Sequence, residues 1–219
     1  MSATEDNTGV DNDIIVSGYS NQQSSEKQRC LANGTSCRPV GIMYADIAAY
    51  QPLTELDEEG RHSRLVEAMR LIEAHIDASN GRVAHFSGDA ILIKFKDADS
   101  ALRCAINVQL AARQWNAGLD LAKQICFRVG VDFGTVIAEH GDIYVNAISL
   151  TARLESLACC GGICVSKSVR TELTNKSAFK FVAEGKQYVR NIREPIEAFW
   201  IEFDSLQILN AEQTVAVKI

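Results

Sequence analysis

No stretch of the sequence approaches the roughly 20 consecutive apolar residues that a membrane-spanning helix needs. The first residues also lack the basic segment and the apolar segment that together form a secretory signal. Basic residues are too few for a general nucleic-acid binder: 22 Lys and Arg stand against 28 Asp and Glu, and the net charge is −6. We therefore expect a cytoplasmic protein with no membrane insertion and no nucleic-acid partner.

None of the seven cysteines belongs to a Cys-x2-Cys pair of the kind that is typical of zinc sites, and the four histidines do not cluster with them. Cysteines in cytoplasmic proteins are usually reduced, and they pack as small apolar residues. We therefore expect all seven cysteines to be free thiols.

The length of 219 residues and the hydrophobic fraction of 47% fit one globular domain with appendages. Residues 1–37 are rich in Ser, Asn, Asp, Gln and Glu, which predicts a flexible N-terminal leader. We place the folded domain at residues 38–204 and a C-terminal appendage at residues 205–219.

Hydrophobic periodicity and turn residues predict the order βαββαβ for the first part of the domain. The predicted elements are a strand at 41–48, a helix at 57–79, strands at 83–86 and 91–95, a helix at 97–117, and strands at 125–132 and 135–139. A further region has helices at 146–158 and 167–174 and strands at 163–165, 181–182, 188–192 and 196–203. We expect an α+β fold, with a ferredoxin-like core and an antiparallel sheet, extended by this C-terminal helix and strand region.

Two aspartates lie where predicted strands end. Asp46 is near the end of the first strand, and Asp89 is in the turn between the two hairpin strands. The first and third strands of such a sheet are antiparallel neighbours, so we expect both carboxylates at one edge, about 5 Å apart. This pair would suit Mg²⁺ or Mn²⁺, which bind oxygen ligands and leave positions open for substrate phosphates. Alternatively, Asp46 caps a turn and Asp89 is only a turn residue.

The helix at 146–158 carries further candidates for contact with a nucleotide. Arg153 could stabilise a phosphoryl group in a transition state, and Ser149 lies four residues earlier on the same helix face. Asp142, in the preceding loop, and Ser149 could contact a base or a ribose. Each of the three also has an ordinary interpretation as a surface residue of the helix or loop.

Four segments together resemble the catalytic domain of class III nucleotidyl cyclases over roughly residues 38–203. The segment Tyr44-Ala-Asp-Ile-Ala-Ala-Tyr50 resembles the first metal motif of that family, and Ser87-Gly-Asp-Ala-Ile-Leu-Ile-Lys-Phe95 resembles the second. The segment from Phe127 to Ile137 is similar to the family's strand pair Arg-x-Gly-Ile-x-x-Gly. The segment from Gly141 to Leu157 resembles the part of the family that holds the transition-state residues.

The resemblance implies a homodimer with active sites at the subunit interface, where a nucleoside triphosphate is converted to a 3',5'-cyclic nucleotide and pyrophosphate. Asp46 and Asp89 would hold two divalent cations, Mg²⁺ or Mn²⁺, with help from the backbone carbonyl of Ile47. Arg153 of the partner subunit would stabilise the pentavalent phosphorus. The β- and γ-phosphates would be wrapped by a loop made of Ile47, Ala48, Ala49, Tyr50 and Gln51.

The chain departs from the family pattern mainly where the base and ribose are held. His85 stands where adenylate cyclases have a base-reading lysine, whereas the second base-reading position, Asp142, is kept. Ser149 stands at the position of the transition-state asparagine, and Ala49 replaces a loop glycine. Because the metal carboxylates and Arg153 are unchanged, the pattern favours retained phosphoryl chemistry with an altered choice of base.

A histidine in place of lysine, together with Ala49, Val145 and Ala147 at positions where the family has glycine, favours a one-ring base over a purine. Together with the single-domain format, this predicts a pyrimidine cyclase of the kind that makes an antiphage signal for a cyclic-nucleotide-sensing effector, with UTP favoured over CTP. The alternatives are an adenylate or guanylate cyclase with an unusual pocket, or a non-catalytic domain that binds nucleotide and dimerises. Ser149 and Ala49 are the residues that favour the non-catalytic alternative.

Overall fold

We describe the chain from a computed structural model, over residues 38–47, 58–120, 123–136, 145–188 and 195–203. The strands are β1 (Arg38–Ile47), β2 (Arg82–Ser87), β3 (Ala90–Phe95), β4 (Phe127–Val136), β5 (Ile163–Ser166), β6 (Lys180–Gln187) and β7 (Ile196–Glu202). The helices are α1 (Glu58–Ala78), α2 (Ala98–Asn116), α3 (Val145–Leu157) and α4 (Lys167–Glu172), with a short 3₁₀ helix at Lys176–Ala178. In this part of the chain, every helix is too short or too polar to cross a membrane.

The strands form one seven-stranded sheet in the order β2-β3-β1-β4-β5-β7-β6. Strand β1 is antiparallel to both of its neighbours, β3 and β4. Strands β4 and β5 are parallel, and β7 is antiparallel to both β5 and β6. The predicted α+β fold, with its ferredoxin-like core and C-terminal extension, is confirmed. The limits of the leader and the appendage stay predictions.

Three strand predictions differ in detail from the structure. The turn predicted at Phe133 and Gly134 lies inside β4, because the long strand β1 continues to pair with it: Phe133 is opposite Gly41, and Gly134 is opposite Val40. The short strand predicted at 181–182 is part of the longer β6, whose pairing with β7 shifts between Ala183 and Gly185. Of the strand predicted at 188–192, residue 188 is not in a strand, and the remainder lies outside the described residues.

Helices cover both faces of the sheet because the apolar side chains of the central strands alternate between the two faces. Met43 and Ala45 of β1 face the main core, where α1 and α2 contribute Ile72 and Leu102. Asp97 begins α2 by accepting a hydrogen bond from Ser100 N at 2.7 Å, as an N-cap residue does. The other face carries Ile42, Tyr44 and Leu92, which form a separate small cluster with Ile148 of α3.

Gly130 allows α3 to lie directly on β4. A Cβ atom at this position would be 2.2 Å from the carbonyl oxygen of Thr151 and 2.4 Å from the backbone nitrogen of Glu155. These distances are far below van der Waals contact, so a side chain here would push the helix away from the sheet. The close approach brings Glu155 to the part of β4 that carries Arg128.

The cysteines differ from the expectation of seven free thiols. The structure joins Cys126, just before β4, to Cys160, just before β5, with a Cα–Cα distance of 5.7 Å. The pairing was missed because the two residues are 34 positions apart and meet only through the parallel contact of β4 with β5. Of the other cysteines in the described ranges, Cys104 and Cys164 are buried and Cys159 is exposed, all as free thiols.

Candidate active site

Asp46 and Asp89 lie at the same edge of the sheet. Asp46 is opposite Ala90, and Asp89 is the residue just before Ala90 in the turn that joins β2 to β3. The backbone nitrogen of Ile47 donates a hydrogen bond to the carbonyl oxygen of Asp89 at 3.2 Å, which ties the end of β1 to this turn. Gly88 precedes Asp89 with φ of 65°, a conformation that glycine adopts without strain. The topology thus places the two aspartates as the sequence predicted.

Asp46 shares an arginine with a third carboxylate. Arg128 of β4 lies directly opposite Asp46 in the sheet and donates a hydrogen bond to the Asp46 carboxylate. The Nε atom of Arg128 is 2.8 Å from Oε1 of Glu155, so the two side chains form an ion pair. The N–H group of Arg128 is not directed at this oxygen closely enough to form a hydrogen bond. Only 15% of the Asp46 side chain and 8% of the Glu155 side chain are exposed, so neither ion pair is an ordinary surface contact.

Arg128 and Glu155 were not predicted as site residues. A signal for Arg128 was present, because apolar Phe127, Val129 and Val131 alternate along β4 with Arg128 and Gly130. That alternation marks a charged residue on the face opposite the main core. Glu155 had no comparable signal, since its position over Arg128 depends on the packing of α3 at Gly130.

The charges at this edge are mutually dependent. Burial raises the pKa of Glu155 to about 7; the carboxylates of Asp46 and Asp89 add to the rise, and Arg128 opposes it. Burial and the same three carboxylates raise the pKa of Tyr44. The hydrogen bond to Asp46 raises the pKa of Arg128. The edge holds three carboxylates and one guanidinium, which contacts Asp46 and Glu155, so the region attracts cations.

The stability of the metal-free protein should therefore depend on Glu155 in a defined pH window. Because its folded pKa is above the ordinary value of 4.5, the folded state holds an extra proton between about pH 4.5 and 7. The free energy of unfolding that this proton adds is fully present below about pH 4.5 and is lost as the pH rises through 7. We expect Glu155→Gln to remove about 2 kcal/mol of the difference in unfolding free energy between pH 5 and pH 8.

Urea unfolding at pH 5, 6, 7 and 8, in EDTA, measures this difference. Glu172→Gln is the matched control, because Glu172 is exposed at the end of α4. Equal pH slopes in the wild type and Glu155→Gln would contradict the assignment of the raised pKa to Glu155.

The remaining predicted residues lie on the same face as Asp46 or outside the described ranges. His85 is exposed on the edge strand β2, opposite Leu92, which is itself opposite Tyr44, so the three share one face. Ser149 is half-buried and Arg153 is exposed one turn later on α3. The arginine that contacts Asp46 within the subunit is Arg128, not Arg153. The predicted contacts that lie outside the described residues are Ala48, Ala49, Tyr50, Gln51 and Asp142.

The donor atoms at this edge fit a hard divalent cation. Asp46 and Asp89 supply carboxylate oxygens, and Ile47, the residue after Asp46, supplies a backbone carbonyl oxygen. Within the described ranges, no group of three or more His, Cys, Asp or Glu side chains could hold a metal ion. A cation here would therefore draw its remaining ligands from backbone, water or substrate, as Mg²⁺ sites for phosphate substrates commonly do.

Comparisons with known proteins agree on one family. The sequence profile described as the adenylate and guanylate cyclase catalytic domain matches residues 33–203. The structure of an adenylate/guanylate cyclase/hydrolase from Silicibacter pomeroyi is 32% identical, covers 78% of this chain and 99% of its own, and has a TM-score of 0.68. The adenylyl cyclase CyaB from P. aeruginosa shares the fold at 20% identity, with a TM-score of 0.65 over 78% of this chain and 96% of its own.

The curated relatives are longer proteins. A relative from Rhizobium meliloti is 31% identical over 160 residues, which make up 73% of this chain and 27% of that protein. An adenylate cyclase from Streptomyces coelicolor is 29% identical over 137 residues, or 62% of this chain and 34% of its own length. The chain therefore spans about a third of the curated relatives it matches.

Proposed function

Because the chain belongs to the family of adenylate and guanylate cyclase catalytic domains, we propose that it is a metal-dependent nucleotidyl cyclase. In the proposed reaction, the ribose 3'-hydroxyl attacks the α-phosphate, and pyrophosphate leaves. The observation that supports this most is the placement of Asp46 and Asp89 at one edge of the sheet, tied together by the hydrogen bond from Ile47 to Asp89. Two oxygen ligands on rigid elements are what cation-assisted phosphoryl transfer requires.

Catalytic domains of this family use divalent metal cations. We propose that Asp46, Asp89 and the carbonyl of Ile47 hold two of them, Mg²⁺ or Mn²⁺. When bound, such cations activate a hydroxyl nucleophile and neutralise charge on a leaving phosphate. Arg128 contacts both Asp46 and Glu155. Because it has two carboxylate partners, Arg128 can keep Glu155 as a counter-charge when Asp46 binds a cation, which keeps the site from rearranging.

The proposed active site is completed by a second copy of the chain. Arg153 is exposed on α3, and it is not the arginine that contacts Asp46 in its own subunit. A homodimer would bring Arg153 and Ser149 of one subunit to the Asp46 edge of the other. Arg153 would then stabilise the negative charge that develops on the phosphorus, and the Ser149 hydroxyl would hydrogen-bond the ribose.

We further propose a pyrimidine substrate, with UTP ahead of CTP, in an antiphage system with a cyclic-nucleotide-sensing effector. His85 supports a base-contacting role because it lies on the same face as Asp46. A histidine is shorter than the lysine of the family pattern, so it reaches less far toward a base. Asp142 would accept a hydrogen bond from the base, and the loop of residues 48–51 would wrap the phosphates. A cytoplasmic location stays a prediction from the sequence.

An adenylate cyclase is the second candidate function. It is favoured by the names of relatives such as the Streptomyces coelicolor adenylate cyclase. Purified protein with Mn²⁺ and each of ATP, GTP, CTP and UTP separates the candidates, with products identified by mass spectrometry. We expect UTP to be cyclised fastest. Faster cyclisation of ATP or GTP would overturn the pyrimidine proposal, and no product from any nucleotide would favour a non-catalytic binding domain.

His85→Ala should change the ranking of the four nucleotides without changing the dependence on metal. We expect the ratio of the UTP rate to the ATP rate to fall about tenfold, since a single base contact contributes roughly 1–2 kcal/mol. The Mn²⁺ concentration for half-maximal rate should not move. Lys186→Ala, exposed on β6 at the opposite edge of the sheet, is the control. An unchanged ranking would show that His85 is an ordinary strand residue.

A further inference from the structure

Cys126 and Cys160 are held together by the backbone around them. The nitrogen of Gly161 donates a hydrogen bond to the carbonyl oxygen of Phe127 at 2.9 Å, and Val129 N donates one to Gly162 O at 3.3 Å. These bonds join the residues next to the two cysteines, so the Cα–Cα distance of 5.7 Å does not depend on the sulfur bond alone. The distance is within the range that a disulfide spans. A reduced pair would stay within reach of re-oxidation.

Gln109 of α2 strengthens the same arrangement. It is buried, and its Nε2 atom donates to Phe127 O at 3.0 Å and to Gly162 O at 2.9 Å. A single amide therefore connects the strand after Cys126 to the turn after Cys160. Because buried hydrogen bonds are costly to lose, this connection keeps the two thiols near each other in both oxidation states.

A cavity of about 700 Å³ opens beside Cys160, and neither Asp46 nor Asp89 is among the residues that line it. Its lining includes Cys159, Cys160, Arg113, Lys180 and Trp200. Lys180 is paired with Glu202. The Cζ atom of Arg113 lies 4.6 Å from the centre of the Phe203 ring. Lys180, Glu202 and Arg113 together carry one net positive charge. The cavity therefore favours a small anionic molecule.

We propose that Cys126 and Cys160 form a reversible thiol–disulfide site, and that its reaction partner is an anionic low-molecular-weight thiol or disulfide, such as glutathione, bound in this cavity. Cys160 is the residue that reacts first, because it is exposed and lines the cavity, whereas Cys126 is half-buried. The exposed Cys159 is its nearest competitor.

The proposed oxidation proceeds in two exchange steps. The Cys160 thiolate attacks one sulfur of the small disulfide; that S–S bond breaks, one small thiolate leaves, and a mixed disulfide forms on Cys160. The Cys126 thiolate then attacks the Cys160 sulfur and releases the second small thiolate. Two protein thiols are oxidised, one small disulfide is reduced to two thiols, and the two protons from the cysteines go to the released thiolates.

Trapping the mixed disulfide tests the order of these steps. The full chain carrying Cys30→Ser and Cys37→Ser is reduced, exposed to glutathione disulfide, alkylated and mapped by peptide mass spectrometry. We expect a Cys126–Cys160 disulfide, and with Cys126→Ser we expect glutathione to remain attached to Cys160. Cys159→Ser is the control and should behave like the parent. A disulfide that contains Cys159, or no reaction at Cys160 in folded protein, would overturn the proposal.

The link should also raise thermal stability. Closing the chain between two residues 34 positions apart is expected to raise Tm by roughly 5 to 10 °C in the oxidised form. Circular dichroism melts with and without dithiothreitol measure this shift. The same shift in Cys126→Ser would show that it comes from another cysteine pair, and the proposed link would then be wrong.

The charge of the small disulfide tests the role of the cavity. We expect glutathione disulfide, which is anionic, to oxidise the pair several-fold faster than neutral bis(2-hydroxyethyl) disulfide, and cationic cystamine to react slowest. Arg113→Gln with Lys180→Gln should reduce these differences, with circular dichroism confirming that the variant is folded. Equal rates for the three reagents in the parent protein, or a fastest reaction with cystamine, would overturn the assignment of the cavity.

Discussion

Replacing Asp46 or Asp89 with asparagine should lower the rate of cyclisation by about a thousandfold. The amide has nearly the same shape as the carboxylate, but it carries no charge to hold a divalent cation. The amide oxygen of an asparagine at 46 can still accept the hydrogen bond that Arg128 donates to Asp46. The loss should therefore appear in activity, whereas circular dichroism in the absence of metal should still show a folded protein.

Product formation with Mn²⁺, measured by mass spectrometry, checks the expected loss in each variant. Asp120→Asn is the matched control, because the Asp120 side chain is 85% exposed and pairs only loosely with Lys123. If the Asp46→Asn and Asp89→Asn variants both still form product, the proposed metal site is ruled out. Equal losses in Asp120→Asn would show that the assay reports general damage to the protein.

Arg153→Ala should abolish turnover and yet be rescued by an inactive partner. If each active site combines the Asp46 edge of one subunit with Arg153 of the other, a heterodimer of Arg153→Ala and Asp46→Asn has one site with both wild-type residues. Half of the dimers in an equal mixture are heterodimers, so the mixture should recover about a quarter of the wild-type activity. Neither variant alone should be active.

The mixing experiment requires that subunits exchange, which co-purification of differently tagged chains confirms. Arg103→Ala, exposed on α2, is the control for loss of an arginine side chain. A mixture that stays inactive although heterodimers form would contradict a site shared between subunits. Activity of Arg153→Ala alone would remove Arg153 from the proposed mechanism.

The residues in these predictions could be located from the sequence to different extents. Asp46 and Asp89 could be placed together because the strand order brings the end of β1 beside the start of β3, and the register confirms this through Asp46 opposite Ala90. His85 could be placed on a strand, but its face depended on a shift in the pairing of β2 with β3 between Val83 and His85. A one-residue shift changes the face of a side chain, and local patterns do not show it.

The position of Arg128 could be predicted only in part. The alternation along β4 indicated that Arg128 faces away from the main core, but not that it contacts Asp46 and Glu155. The continuous pairing of β1 with β4 puts Arg128 opposite Asp46. The same pairing removed the turn predicted at Phe133, because the partner strand outweighed the local turn signal.

The sequence alone determined the elements whose causes are local: the order of strands and helices, the turn at Gly88 and Asp89, and the cap at Asp97. From that order followed the α+β fold and the meeting of the two aspartates. Tertiary structure decided which charges and thiols meet across distant elements. Glu155 reaches Arg128 because Gly130 lets α3 lie on β4, and Cys126 reaches Cys160 because β4 pairs with β5. Such contacts depend on packing between segments that are far apart in the chain, which residue patterns within one segment do not encode.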